Sequence, residues 1–188
     1  EKPLVVFTPK SLLRHPESVS SIEELIEGDF YKIIDDNETN PKEIKKVILC
    51  SGKIFYDLKE KKLKTGKHDF AIVRIEQLYP FPFEEFENIK NKYSDAQEYI
   101  WVQEEPENMG AWNFIRNQIT EIKLEPVCRA ASGSPAVGLS KIHSIEQEEI
   151  IGKVFRKCDC ELKNTYCGLQ CMVGSRRFTR KPEHEYLE

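Results

Sequence analysis

The sequence predicts an α/β fold: a mostly parallel sheet flanked by helices. Two observations carry this. Short apolar runs of strand length recur along the chain and alternate with stretches whose apolar residues fall at helical spacing, the pattern of βαβ units. The run Phe70-Ala71-Ile72-Val73 is apolar throughout rather than alternating, and so reads as a strand buried on both faces. Its charged end, Arg74-Ile75-Glu76-Gln77, breaks into Tyr79-Pro80-Phe81-Pro82, where neither proline can join a central ladder. The strand thus delivers polar groups to the carboxyl edge of the sheet, where open α/β sheets bind their ligands.

The elements follow in order. Leu4 to Phe7 reads as a short strand stopped at Thr8-Pro9, and residues 10–16 as a tight turn or one-turn helix closed by Pro16. Serine followed three residues later by glutamate, in Ser20-Ser21-Ile22-Glu23-Glu24, is a capping-box pattern, with Gly28 as the stop. Residues 35–43 are a polar loop. Val47 to Ser51 is a second buried strand, and Gly52-Lys53 turns it into a helix running to about Lys64 with Ile54, Phe55 and Leu58 on its inner side. Phe83, Phe86 and Ile89 mark the next helix, with Pro82 suited to its first turn. Tyr99 to Gln103 is a strand, and Trp112, Ile115, Ile119 and Ile122 line one face of another helix. Pro126 ends the approach to a last strand at Val127-Cys128-Arg129, and a final helix runs from about Ser144 to Phe155.

Composition narrows the function classes. With 188 residues, 39% of them apolar, the chain holds one packed domain and something over. A net charge of −4 argues against a nucleic-acid binder or a partner for anionic membranes. No apolar stretch approaches the roughly 20 residues of a membrane span. The first residue is Glu1, directly before an apolar run, which reads as a piece of a longer polypeptide. Cys50 and Cys128 sit singly in apolar runs and read as small hydrophobes. His15, His68 and His143 are scattered without metal-ligand spacing, and no nucleophile–base arrangement is legible.

Polar residues collect at the predicted carboxyl ends. Gly52-Lys53 at a strand-to-helix turn suits an anion, because free helix N–H groups point there. Lys10, Ser11, Arg14 and Arg74 join Lys53 as an anion or effector candidate set. The alternative is that these cations pair with Glu76, Glu104 and Glu105 and tie the sheet edge together.

Five motifs occur in register: PLVVFTPKSLLRHP (3–16), SGKIFYDL (51–58), IVRIEQLYPFP (72–82), WVQEEPENMGAW (101–112) and SGSPAVG (132–138), followed by His143 and Gln147. Together they resemble the C-terminal domain of the decarboxylating component of 2-oxoglutarate dehydrogenase, over roughly residues 3–155. The resemblance implies a mixed sheet of about five strands between helices, like the third domain of transketolase-like enzymes. It also implies a full-length enzyme that uses thiamine diphosphate and magnesium. That enzyme decarboxylates 2-oxoglutarate and passes the succinyl group to a lipoyl arm on a partner succinyltransferase, in the bacterial cytoplasm or the mitochondrial matrix. In such enzymes the cofactor lies between two earlier domains at the homodimer interface. No catalytic or cofactor-binding residue is therefore carried over to this chain, which alone is expected to bind no cofactor. Its role would be to complete the dimer and buttress the active-site entrance, with Tyr79, Phe81, Glu105 and Trp112 as interface candidates. The rival reading is a stand-alone module that senses a nucleotide or docks on a dehydrogenase complex.

The chain departs from the family pattern at Val127 to Ser134 and beyond Phe155. Residues 156–188 form a cysteine-rich, basic tail, read as a disordered or non-native extension. Cys158, Cys160, Cys167 and Cys171 are its zinc alternative, although their spacing is not a common finger pattern.

Overall fold

A computed structural model describes residues 2–5, 8–66 and 68–155. Residues 156–188, and with them the four-cysteine zinc candidate and the expected tail, lie outside the described residues. The chain divides into two compact units, Glu1–Tyr31 and Lys32–Glu188.

The first unit holds one 3-10 turn, Lys10–Arg14, and one helix, α1 (Ile22–Glu27). The capping box forms as expected: Glu24 N donates to Ser21 Oγ at 3.1 Å, and Ser21 N donates to Glu24 Oε2 at 2.8 Å. Two orphan amides of the first turn are thereby satisfied. The expected strand at Leu4–Phe7 is corrected: Leu4 and Val5 belong to no strand and are exposed, while Val6 and Phe7 lie outside the described residues. A strand needs a hydrogen-bonded neighbour, and the described part of this unit supplies none.

The second unit contains β1 (Ile33–Ile34), β2 (Lys46–Cys50), α2 (Ile54–Thr65), β3 (Phe70–Ile75), α3 (Phe83–Lys92), β4 (Glu98–Pro106), α4 (Trp112–Gln118), β5 (Leu124–Arg129) and α5 (Ser140–Phe155). Its five strands form one sheet in the order β1-β3-β2-β4-β5. All neighbours are parallel except β1 and β3, so the sheet is mixed, with its antiparallel strand at one edge.

Alternation along each strand divides the core into two layers. Val47, Leu49, Ala71, Val73, Tyr99 and Trp101 face α3 and α4 through Phe86, Ile89, Trp112 and Ile115. Ile48, Cys50, Phe70, Ile72, Ile100 and Val102 face α2 and α5 through Leu58, Ile150 and Val154. Both faces are covered, which is why the central strands are uniformly apolar.

Four sequence expectations shift. Pro126 lies inside β5 rather than ahead of it; β5 is an edge strand, the part of a sheet where proline is tolerated. The helix expected to reach Ile122 ends at Gln118, where Ile119 leaves helical geometry, although Ile122 still packs on the core. The last helix starts at Ser140. The polar loop at 35–43 includes a 3-10 turn, Pro41–Glu43, whose Lys42 amide is capped by the Asn40 side chain.

Candidate functional site

β2 is followed by β3 on one side of it and then, after α3, by β4 on the other. This reversal makes a topological switch point at the carboxyl ends of β2 and β4, the place where such sheets open a crevice. Gly52, at φ +72°, turns the chain sharply out of β2 and aims Lys53 across that crevice. Lys53 Nζ lies 2.7 Å from Glu104 Oε1, on β4, and 3.4 Å from Asp57 Oδ2, one turn along α2. Gln147 of α5 donates from Nε2 to the same Asp57 oxygen at 2.7 Å. Burial pulls the Lys53 ammonium down, but hydrogen bonding and attraction to Glu104 and Asp57 outweigh it and hold the group above its ordinary range.

The neighbouring cations are neutralised in the same way. Arg74 Nε stands 2.7 Å from Glu76 Oε1, and its NH1 donates to the Tyr56 hydroxyl at 3.1 Å. The guanidinium lies over the Phe55 ring, 4.5 Å from its centroid. Arg129 donates to the Glu104 carbonyl at 2.6 Å and the Pro135 carbonyl at 2.8 Å, and pairs with Glu146 at 3.3 Å. Of the anion candidates, Lys53 and Arg74 therefore stand in a charge-balanced edge, and an anion reaching Lys53 must compete with Glu104 and Asp57. Lys10, Ser11 and Arg14 share the 3-10 turn of the first unit.

Beside the crevice, β4 runs into the 107–111 loop, and one side chain organises that loop. Gln103 is only 4% exposed. Its Oε1 accepts from Trp101 Nε1 and from Trp112 N, each at 2.9 Å; its Nε2 donates to the carbonyls of Pro106 at 3.0 Å and Met109 at 2.7 Å. Gly110, at φ +66°, closes the loop so tightly that a Cβ there would meet Gln103 Nε2 and Glu105 Cβ at 3.0 Å. Asn108 exchanges two 3.0 Å hydrogen bonds with the Ser132 backbone, tying this loop to the small-residue loop after β5.

The interface candidates separate. Tyr79 is 82% exposed and sets its ring edge-to-face against Phe114, and Glu105 is also exposed. Phe81 and Trp112 are buried within this unit, Phe81 packing on Phe83 and Phe86. The YPFP turn and the start of α4 each direct an aromatic ring, Phe81 and Trp112, into the layer beneath α3 and α4.

Sequence reasoning missed Gln103, Asp57 and Arg129 as organising groups. The signal for Gln103 was available: it shares its strand face with Trp101, so an amide there is aimed at the core. A cavity of about 350 Å³ also opens between the 34–39 loop and α2, lined by Asp36, Lys59, Lys62 and His68 among others; Asp36 and Lys62 pair across it at 2.5 Å. Among the described residues no three His, Cys, Asp or Glu side chains converge as a metal site, and no helix is long and apolar enough to cross a membrane.

Comparison with known proteins matches the family described as 2-oxoglutarate dehydrogenase C-terminal to residues 19–155. The 2-oxoglutarate dehydrogenase E1 component of Haemophilus influenzae is 45% identical over 156 residues, which is 80% of this chain and 17% of that protein. The corresponding component of Azotobacter vinelandii is 40% identical over 163 residues, 82% of this chain and 17% of that one. The 2-oxoadipate dehydrogenase complex component E1 of Mus musculus is 42% identical over 160 residues, again 82% and 17%. The chain thus spans about a sixth of the length of these relatives. With the match covering both sheet layers, the carboxyl-edge network and the Gln103 loop, the chain belongs to the 2-oxoglutarate dehydrogenase C-terminal family.

Proposed function

We propose that this chain acts as the C-terminal domain of the decarboxylating component of 2-oxoglutarate dehydrogenase, where it supplies architecture rather than reacting groups. The full-length enzyme converts 2-oxoglutarate to carbon dioxide and a succinyl group carried by the lipoyl arm of a succinyltransferase. The carrying observation is the switch-point crevice. The place where such a sheet would hold a ligand is bridged by Lys53 and Glu104, whose pairing locks β2, α2 and β4 together. Bacterial and mammalian relatives support a working site in the bacterial cytoplasm or the mitochondrial matrix.

Thiamine diphosphate needs cationic or amide groups for its diphosphate and several oxygen ligands for its magnesium. The described residues do not fit that need, since Lys53, Arg74 and Arg129 are engaged by carboxylates and no three-ligand cluster converges. In this reading the cofactor belongs to the preceding domains of the full-length enzyme. Titration calorimetry of the isolated chain with thiamine diphosphate and magnesium is expected to show no micromolar binding; such binding would overturn the reading.

The association face in this reading is the exposed side of the YPFP turn with Tyr79, together with Glu105, directed toward the rest of the subunit and its homodimer mate. The crevice is the proposed effector contact, through Lys53 and Arg74, with Lys10, Ser11 and Arg14 as the candidates of the first unit. Because Glu104 competes for Lys53, Glu104→Gln is expected to strengthen binding of inorganic pyrophosphate. Unchanged binding in that variant would remove Lys53 from the site.

A further inference from the structure

Helix α2 has a second face besides the one it buries. Ile54 and Leu58 enter the core, whereas Phe55, Lys59, Lys62 and Leu63, at i, i+4, i+7 and i+8, line the cavity of about 350 Å³. The cavity lies wholly within the second unit, between this face and the 34–39 segment. Phe55, Leu63, Ile34 and Ile72 give it an apolar lining, and its volume falls at the small end of the roughly 300–1,000 Å³ usual for small-molecule pockets.

Its polar lining is unequally satisfied. The Asp36 carboxylate is filled: Oδ2 accepts from Lys62 Nζ at 2.5 Å and from Ile72 N at 3.1 Å, and Oδ1 accepts from Glu38 N at 3.2 Å. The Lys62 ammonium is not. It carries three donors, and Asp36 is its one partner among the described residues. The Lys62 side chain is only 12% exposed, so its two remaining N–H groups need acceptors inside the cavity. Asp35 is held from α3 by Lys92 and by the Tyr93 hydroxyl, which balances its charge from outside the lining. Lys59 and His68 add cationic character to the wall that Lys62 occupies. We propose that this cavity binds a small carboxylate with an apolar body. The carboxylate accepts the two remaining Lys62 N–H groups beside Asp36, and the body packs on Phe55, Leu63, Ile34 and Ile72. The lining shares no residue with the Lys53–Glu104 bridge, so the site is separate from the crevice and does not depend on the reading above.

The test titrates the full chain with hexanoate while amide shifts are followed by nuclear magnetic resonance. Hexanamide and acetate serve as probes that lack the charge and the apolar body respectively. Hexanoate is expected to shift the amides of residues 34–39 and 59–66 with a dissociation constant of about 1 mM, and the two controls to bind about tenfold more weakly or less. Lys62→Met is expected to weaken hexanoate about tenfold. Because that variant also breaks the tie to Asp36, Leu63→Trp is the second variant, at a position 65% exposed, where a larger ring should fill the cavity without disturbing the core. It is expected to keep the melting temperature and abolish the shifts. No shifts up to about 10 mM hexanoate would overturn the proposal. So would hexanamide or acetate binding as tightly as hexanoate, shifts centred on Lys53 and Glu104, or hexanoate binding undiminished by Leu63→Trp.

Discussion

Cys50 ends β2 with its side chain wholly buried, its thiol 3.9 Å from the Val73 carbonyl. Burial pushes the thiol up from 9.0 to about 12, with Arg74 opposing and Glu76 adding to the shift. Between those values the unfolded chain has lost this proton and the folded chain keeps it, so rising pH favours unfolding. The unfolding free energy should fall by about 1.4 kcal/mol per pH unit from this group alone. Urea titrations from pH 9 upward should show that slope, and Cys50→Ala should reduce it by one proton's worth. The second residue-scale expectation concerns Gln103. Truncation to Ala removes this partner from Trp101 Nε1, Trp112 N and the Met109 carbonyl, while the Pro106 carbonyl keeps the Met109 amide. At about 1–3 kcal/mol for each unsatisfied buried group, partly relieved by entering water, we expect a loss of about 3 kcal/mol. A loss within the ordinary surface range would show that the 107–111 loop does not depend on this amide.

At the scale of elements, the helix ends and sheet edges show how local chemistry is completed by distant groups. α2 stops at Gly66, at φ +61°, whose amide donates to the Lys62 and Leu63 carbonyls. Open space surrounds the position where a Cβ would stand, so Gly66→Ala isolates the conformational cost of a left-handed residue, about 1 kcal/mol by denaturant unfolding. The outer edge of β3 is covered over only two residues by β1, and Asp36 Oδ2 accepts from Ile72 N at 3.1 Å to cap it further along. Lys53 joins α2 to β4 from a partly buried position. Such pairs contribute little when screened by solvent, and Lys53→Met is expected to cost about 1 kcal/mol. A cost as large as a core truncation would make the lysine a structural tie alone.

At the scale of the molecule, every buried residue among those described lies between Ile44 and Phe155. A fragment of residues 32–155 retains both core layers. It is expected to unfold in one cooperative transition by circular dichroism and by tryptophan fluorescence; divergent transitions would show that the layers are separable. Much of this unit was legible from sequence. Val47–Cys50, Phe70–Val73 and Tyr99–Val102 announce strands covered on both faces, and Phe86/Ile89, Trp112/Ile115 and Ile54/Leu58 announce the helices that cover them. The register of motifs from PLVVFTPKSLLRHP to SGSPAVG identified the family before any contact was known. These signals are local, because periodicity and turn chemistry depend on residues a few positions apart.

Tertiary structure alone decided the rest. It placed Ile33–Ile34, and not Leu4–Val5, on the antiparallel edge, since edge pairing is settled by which segment reaches the open side of β3. It buried Phe81 and Trp112 while leaving Tyr79 in solvent, because an aromatic ring serves a core or an interface equally well until its neighbours are known. It joined Lys53 to Glu104 across the switch point, turning what sequence offered as either an anion site or a tied edge into a bridged crevice. Each outcome depends on groups distant in the chain, and burial, pairing and charge balance exist only once those groups have met.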